Sequence, residues 1–295
     1  MTSQTMNRIN ELQNDEESLM LLSSQKILYD ESKKFKCITF IINTLIFIIG
    51  IIPEQFLGGN APIAISSGLL WLISYLTNKK SSEFNGLAAA TQAFIDRKIY
   101  EFDIQERHLN GYSKNEILIK ARDLKDKYPE KYKININNTG ESTPRGVKDW
   151  YICIDSNLSK NEAIAKCQKQ VIYWDKPIVI AYRNLLIGIL ILFILLNIFI
   201  YWNENLSQTI ISIFTCIPIL SQIWEELCDT FKYIYHSKEI DAIANVLDTE
   251  CSNSLEILKN LQDKINNRRS SKFNVPSFIY KKLSYKLHKK YKRDN

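Results

Sequence analysis

Between Leu206 and Trp224 the chain is mostly apolar, and the polar side chains Gln208, Ser212, Thr215 and Gln222 fall within a narrow arc when residues advance about 100° each around a helix. Amides and hydroxyls placed this way can do one of two things. They hydrogen-bond to a neighbouring helix, or they line a water path once several copies bring their stripes together. Pro218 sits beside the stripe and can kink the helix. An earlier apolar segment repeats the pattern, with Thr39, Asn43 and Gly50 on one side.

A cation raises a second question. In "IAYRNLLIGILI", residues 180–191, Arg183 and Asn184 interrupt an apolar run from Ile178 to Trp202. A guanidinium in the middle of a bilayer costs several kcal/mol. The stretch from Trp174 to Trp202 is about 42 Å long at 1.5 Å per residue, which matches a bilayer with its headgroup layers. Arg183 then falls near the headgroup boundary, where it can snorkel to water or phosphate while Trp174 and Trp202 anchor the two interfaces. The other reading is a functional charge facing the interior of a helix bundle.

Catalytic chemistry has no foothold in this sequence. It contains no phosphate-cradling Gly-rich loop, no GxSxG and no HExxH, and His108, His236 and His288 lack metal-ligand spacing. Cys37, Cys153, Cys167, Cys216, Cys228 and Cys251 are scattered without a CxxC, which argues against both a zinc site and a disulfide framework. The expectation is a protein that is not an enzyme, with no metal and no cofactor.

The elements that carry these residues are legible in the hydropathy. Mean hydropathy is −0.18 over 295 residues and 24% are charged, yet the apolar residues gather in two blocks, 37–76 and 178–224. That division predicts an all-α integral membrane protein with four transmembrane helices in two hairpins and mainly helical cytosolic extensions. The first 36 residues carry no signal-peptide pattern. Cys37–Ile52 and Ile63–Leu76 make the first two spans, each about 15 residues and below the usual ~20, and each gains length from its flanks. "PEQFLGGNAP" closes the first hairpin and "WNEN" the second. These two connections contain no Lys or Arg, whereas Lys33, Lys34, Lys36, Lys79, Lys80, Lys176 and Lys232 flank the opposite span ends. The positive-inside rule therefore places both termini and residues 77–177 in the cytoplasm. The divisions are 1–36, 37–76, 77–177, 178–224 and 225–295.

Outside the apolar blocks, helix signals recur. Ser113 with Glu116, and Ser159 with Glu162, read as capping boxes, the second opening a helix that leads through Pro177 into the third span. "ININNTGESTPRG" reads as a polar loop or short strand. Apolar residues spaced by threes and fours from Ile240 to Ile265 predict one long amphipathic helix. From Arg268 onward ten Lys or Arg face the single Asp294, so the tail is +9 in a chain of net +6. Ile279, Leu283, Leu287 and Tyr291 add an apolar stripe, a pattern that adheres to anionic lipid, with binding of a phosphate-bearing ligand or nucleic acid as the other reading.

Four stretches, "LLSSQKILYDESKK", "VKDWYICI", "CQKQVIYWD" and "LQDKINNRRSSKFNVPSFIYKKLSYKLHKKY", together resemble the SMODS-associated four-transmembrane (S-4TM) effector family along nearly the whole chain. Asp149, Trp150 and Tyr151 fall on its "DWY", Trp174 and Asp175 on its "WD", and Lys169 stands where relatives are expected to carry arginine. The resemblance implies a pore-forming effector of the bacterial anti-phage cyclic-oligonucleotide (CBASS) type. Such an effector senses a second messenger from a CD-NTase-type synthase and disrupts the inner membrane as a homo-oligomer embedded in the lipid bilayer. It supplies no catalytic residues. A cyclic oligonucleotide needs cations and aromatic faces, for which Arg145, Lys148, Trp150 and Tyr151 are the candidates. Gln208, Ser212, Thr215 and Gln222 are the pore-lining candidates. The alternatives are a small constitutive channel or transporter, and a non-conducting scaffold.

Overall fold

A computed structural model describes residues 8–52, 60–202, 206–249 and 254–269, together with 275–280, 282, 283, 286 and 287 near the C-terminus. Most of the two hairpin connections, residues 250–253 with Cys251, and His288 and Tyr291 in the tail lie outside the described residues. The described secondary structure is helical apart from one isolated bridge between Thr139 and Lys148.

Four long helices dominate the fold. They are α2 (Glu16–Ile51, 36 residues), α3 (Asn60–Ile99, 40), α6 (Lys160–Tyr201, 42) and α7 (Leu206–Thr249, 44). Shorter helices surround one end: α1 (Ile9–Gln13), α4 (Lys114–Lys127), α5 (Pro129–Asn137) and α8 (Leu255–Arg269). At about 1.5 Å per residue each long helix runs far beyond the ~30 Å hydrocarbon layer of a bilayer. The boundaries at 36/37, 76/77, 177/178 and 224/225 all fall inside these helices, so each apolar segment and its polar extension form one rod. By length and composition, Glu16–Ile51 and Lys160–Ile200 are apolar enough to cross a membrane.

Local chemistry explains where the helices start. Asp15 accepts from the Ser18 N–H at 2.6 Å and caps α2. Ser113 accepts from Glu116 N–H at 3.1 Å at the start of α4. At α6 both arms of the Ser159–Glu162 capping box form. Pro177 lies inside α6, and the helix passes through it.

One expectation is corrected. The long amphipathic helix after the fourth apolar segment is two helices, with α7 ending at Thr249 and α8 beginning at Leu255, and Ile240 of α7 packs in the same core as Leu258, Leu261 and Ile265 of α8. Of the two readings for the stretch from Ile134, polar loop or short strand, the loop holds from Asn138 onward, while residues 134–137 close α5. Gly146 is required in that loop, since a Cβ there would overlap the Asn138 carbonyl oxygen.

The helices pair antiparallel: Ser32 on α2 meets Ser81 on α3, Asn43 on α2 meets Gln222 on α7, and Tyr182 on α6 meets Glu226 on α7. The polar halves of all four rods therefore gather at one end. Ile9, Leu21, Leu22, Phe94, Ile164 and Leu261 help form the main core there. At the opposite end large apolar side chains point outward, among them Ile41, Leu69, Trp71, Leu195, Phe199 and Phe214. Ile279 and Leu283 of the tail pack against a second cluster built by α6 and α7.

Candidate functional site: a polar seam above a buried charge network

Helix α2 carries Ser32, Lys36, Thr39, Asn43 and Gly50 at steps of three, four or seven, which keeps them on one face. That face meets polar residues of α3 and α7 rung by rung. Ser32 and Ser81 exchange hydroxyl and carbonyl bonds at 2.7 and 2.9 Å. Lys36 reaches Glu226 at 2.5 Å and Asn78 at 3.2 Å, and the Tyr182 hydroxyl donates to Glu226 at 3.0 Å. Thr39 meets Thr77 at 2.8 Å. Asn43 donates to Gln222 at 2.7 Å and accepts from Ser74 at 2.6 Å. At Gly50 the backbones approach so closely that a Cβ would overlap the Thr215 side chain. In the apolar half of the molecule this seam joins the α2–α3 pair to the α6–α7 pair, with the Phe47 and Phe193 rings beside it, 4.8 Å between centres and tilted by 51°.

Below the seam lies a network of buried charges that fastens α8 to the long helices. Arg269 pairs with Asp96 of α3, and Asp96 also accepts from Tyr151 at 2.7 Å and from Gln262 at 3.0 Å. Tyr100 donates to the Tyr151 oxygen at 2.9 Å. Arg268, fully buried, bonds Asp175 at 2.8 Å and lies 4.8 Å from the centre of the Tyr233 ring, whose hydroxyl donates to the same carboxylate at 3.0 Å. Arg97 pairs with Asp263 and donates to the Asp103 carbonyl at 2.6 Å. Burial pushes the Tyr100 and Tyr151 phenols well above their ordinary range, so both remain protonated donors. Burial works against the charge of Arg269, but Asp96 outweighs it and raises the guanidinium pKa. Buried pairs of this kind contribute little net stability when intact and cost a great deal when one partner is lost.

The sequence-predicted residues divide between these regions. Thr215 and Gln222 are buried within the chain's own bundle, Gln222 bonded to Asn43. Gln208 and Ser212 lie on α7, and their side chains fall outside the described residues, as does that of Trp174 on α6. Trp202 is exposed at the far end of α6. Arg183 sits at the polar end of the apolar segment, bonded to Asn184 at 3.0 Å and 5.7 Å from the Phe231 ring centre. Of the messenger-binding candidates, Tyr151 is buried in the charge network, so its ring is not open for stacking in this conformation. Trp150 packs against the core and Lys148 is exposed. The Arg145 carbonyl accepts from Lys26. The same loop is tied to the N-terminal helix by Asn14–Asp149 at 2.8 Å and by Gln13 with the Tyr151 backbone at 2.7 and 3.3 Å.

The comparisons with known proteins decide the family. The model of the SMODS-associating 4TM effector domain matches residues 7–294. The chain belongs to that family. No curated protein and no solved structure matched it. Membership, with the two helices of membrane-crossing length and composition, makes this a SMODS-associated membrane effector. The family-like stretches meet in space. "DWY" supplies Tyr151, "WD" supplies Asp175 and "NNRR" supplies Arg268 and Arg269, all to the one network of this effector.

Proposed function

We propose that this effector crosses the bacterial inner membrane four times with both termini in the cytoplasm, binds a cyclic-oligonucleotide messenger, and permeabilises the membrane as a homo-oligomer. The observation that carries this reading is the continuity of the four rods. A shift at their cytosolic ends reaches the bilayer without passing through a flexible joint, because α2, α3, α6 and α7 each hold polar and apolar halves in one helix. The outward-facing apolar residues on all four rods support four spans, and the basic flanks at Lys33, Lys34, Lys79, Lys80 and Lys176 support the orientation.

The seam supplies the part that opens. Its amides and hydroxyls satisfy one another while the two hairpins are together; once the hairpins part, the same groups are ready to hold water. One bundle of side chains this bulky encloses no continuous path, so conduction needs several copies with symmetry providing closure. The messenger drives that assembly only to the extent that it binds the assembled state more tightly.

Co-expression with an active cyclic-oligonucleotide synthase, followed by a membrane-potential dye, tests the proposal. Depolarisation that requires both proteins is expected. Depolarisation without the synthase makes the chain a constitutive channel, and a stable potential with every synthase product supports a non-conducting scaffold.

A further inference from the structure

Where α6 meets its first apolar turn, an open groove of about 520 Å³ separates it from α7 and the tail. Lys169, Tyr173 and Lys176 line it from α6, Asp241 and Asn245 line it from α7, and Leu287 of the tail closes one side. We infer that this groove binds a phosphodiester anion, with ammonium groups on either side of a tyrosine ring. The volume lies in the range of small-molecule sites.

The spacing carries the chemistry. Positions 169, 173 and 176 advance by four and three, which puts them on one face of α6 with the ring one helical turn from each cation. Phosphate, planar base and phosphate alternate in a nucleotide diester with the same order. Tyrosine provides the stacking face and lysine a point charge for each phosphate. Lys176 is held by Asp241, so one cation arrives pre-positioned, and Asp241 keeps an oxygen able to accept from a base amine or a sugar hydroxyl. Asn245 lies exposed on the opposite wall. Lys286 directly precedes Leu287, so a tail cation adjoins the groove and raises the local anion concentration.

Two sources present this chemistry at this depth. A cyclic oligonucleotide approaches from the cytosol, and this arm rests on the function proposed above. An anionic lipid headgroup approaches from the bilayer and does not depend on it.

The test uses the full chain in phosphatidylcholine nanodiscs, titrated with a panel of cyclic di- and trinucleotides in one arm. In the other arm the discs are doped with phosphatidylglycerol and retained lipid is read by native mass spectrometry. The wild type is expected to bind in at least one arm. Lys169→Glu should weaken that binding at least tenfold and Lys169→Arg should retain it. Asn245→Asp, on an exposed position, checks the result should Lys169→Glu fail to fold, and it too should weaken binding. Unchanged affinity in folded Lys169→Glu and Asn245→Asp, or a wild type that binds in neither arm, overturns the inference. If the wild type depolarises cells in response to the synthase while Lys169→Glu does so equally, the groove assignment falls and the proposed function stands.

Discussion

Arg269 on α8 is paired with Asp96 on α3 across 173 residues of sequence, and both side chains are almost completely shielded from solvent. The pair fastens the last well-packed helix of the polar end to a rod that continues into the apolar half. Asp96→Asn or Arg269→Met removes one charge and leaves its partner buried without compensation, at an expected cost of about 3–5 kcal/mol. Replacing both should cost clearly less than the two single changes added together. Thermal unfolding of the detergent-solubilised protein measures all three variants; additive losses would show that the two charges do not act as a pair.

Within the seam, Gln222→Leu leaves the Asn43 amide without its partner at 2.7 Å. Hydrogen bonds between membrane helices are worth about 0.5–2 kcal/mol, so a loss of that size is expected. Gly50→Val forces α2 away from Thr215 and should destabilise more. If unfolding in mild detergent ranks Gly50→Val as the milder change, the close approach of α2 and α7 is wrong.

Much of the local architecture was legible in the sequence, and the tertiary partners were not. The Ser159–Glu162 box announced α6 because both partners lie within one turn. The α7 stripe was visible because helical period is a local property. Its partner face on α2 and α3, with Lys36, Ser74 and Thr77, depends on register between distant segments. Glu226 extends the stripe one turn beyond Gln222 and could have been found by following the same spacing past Trp224. Arg268 and Arg269 read as the start of a basic tail, since charge density says nothing about which cations are buried. Their acids, Asp175 and Asp96, sit on other helices. Tyr151 looked available beside Arg145 and Lys148, but its hydroxyl turns inward to Asp96.

At the start of α2, Asp15 is held below its ordinary pKa of 3.8; burial opposes this, but Lys98 at 2.9 Å and the Ser18 N–H outweigh it. A carboxylate with a depressed folded-state pKa stabilises above its unfolded value and loses that contribution as pH falls through the folded one. Asp15→Asn keeps a capping oxygen but loses the ion pair, so it should melt below the wild type at pH 6. The gap, under about 1 kcal/mol for a partly exposed pair, should close near pH 2. A gap unchanged by pH would remove the ion pair from the explanation.

Orientation is open to direct assay. Reporters fused after Asn295 or inserted at Gly140 should behave as cytoplasmic, and one inserted at Gly59 as periplasmic. Cytoplasmic behaviour at Gly59 would contradict the four-span reading.

Replacing Gln208, Ser212, Thr215 and Gln222 together by leucine should preserve membrane insertion and messenger binding while abolishing depolarisation. Undiminished depolarisation from a well-expressed quadruple variant would assign the stripe to packing alone.

The central claim is that a cytosolic messenger opens this protein in the membrane, and leakage from proteoliposomes tests it most directly. The purified full chain is reconstituted into vesicles loaded with a self-quenching dye, and cyclic di- and trinucleotides are added outside. Release that needs both the protein and one particular nucleotide is the predicted result. Vesicles that stay sealed with every nucleotide, or that leak equally without any, would contradict it.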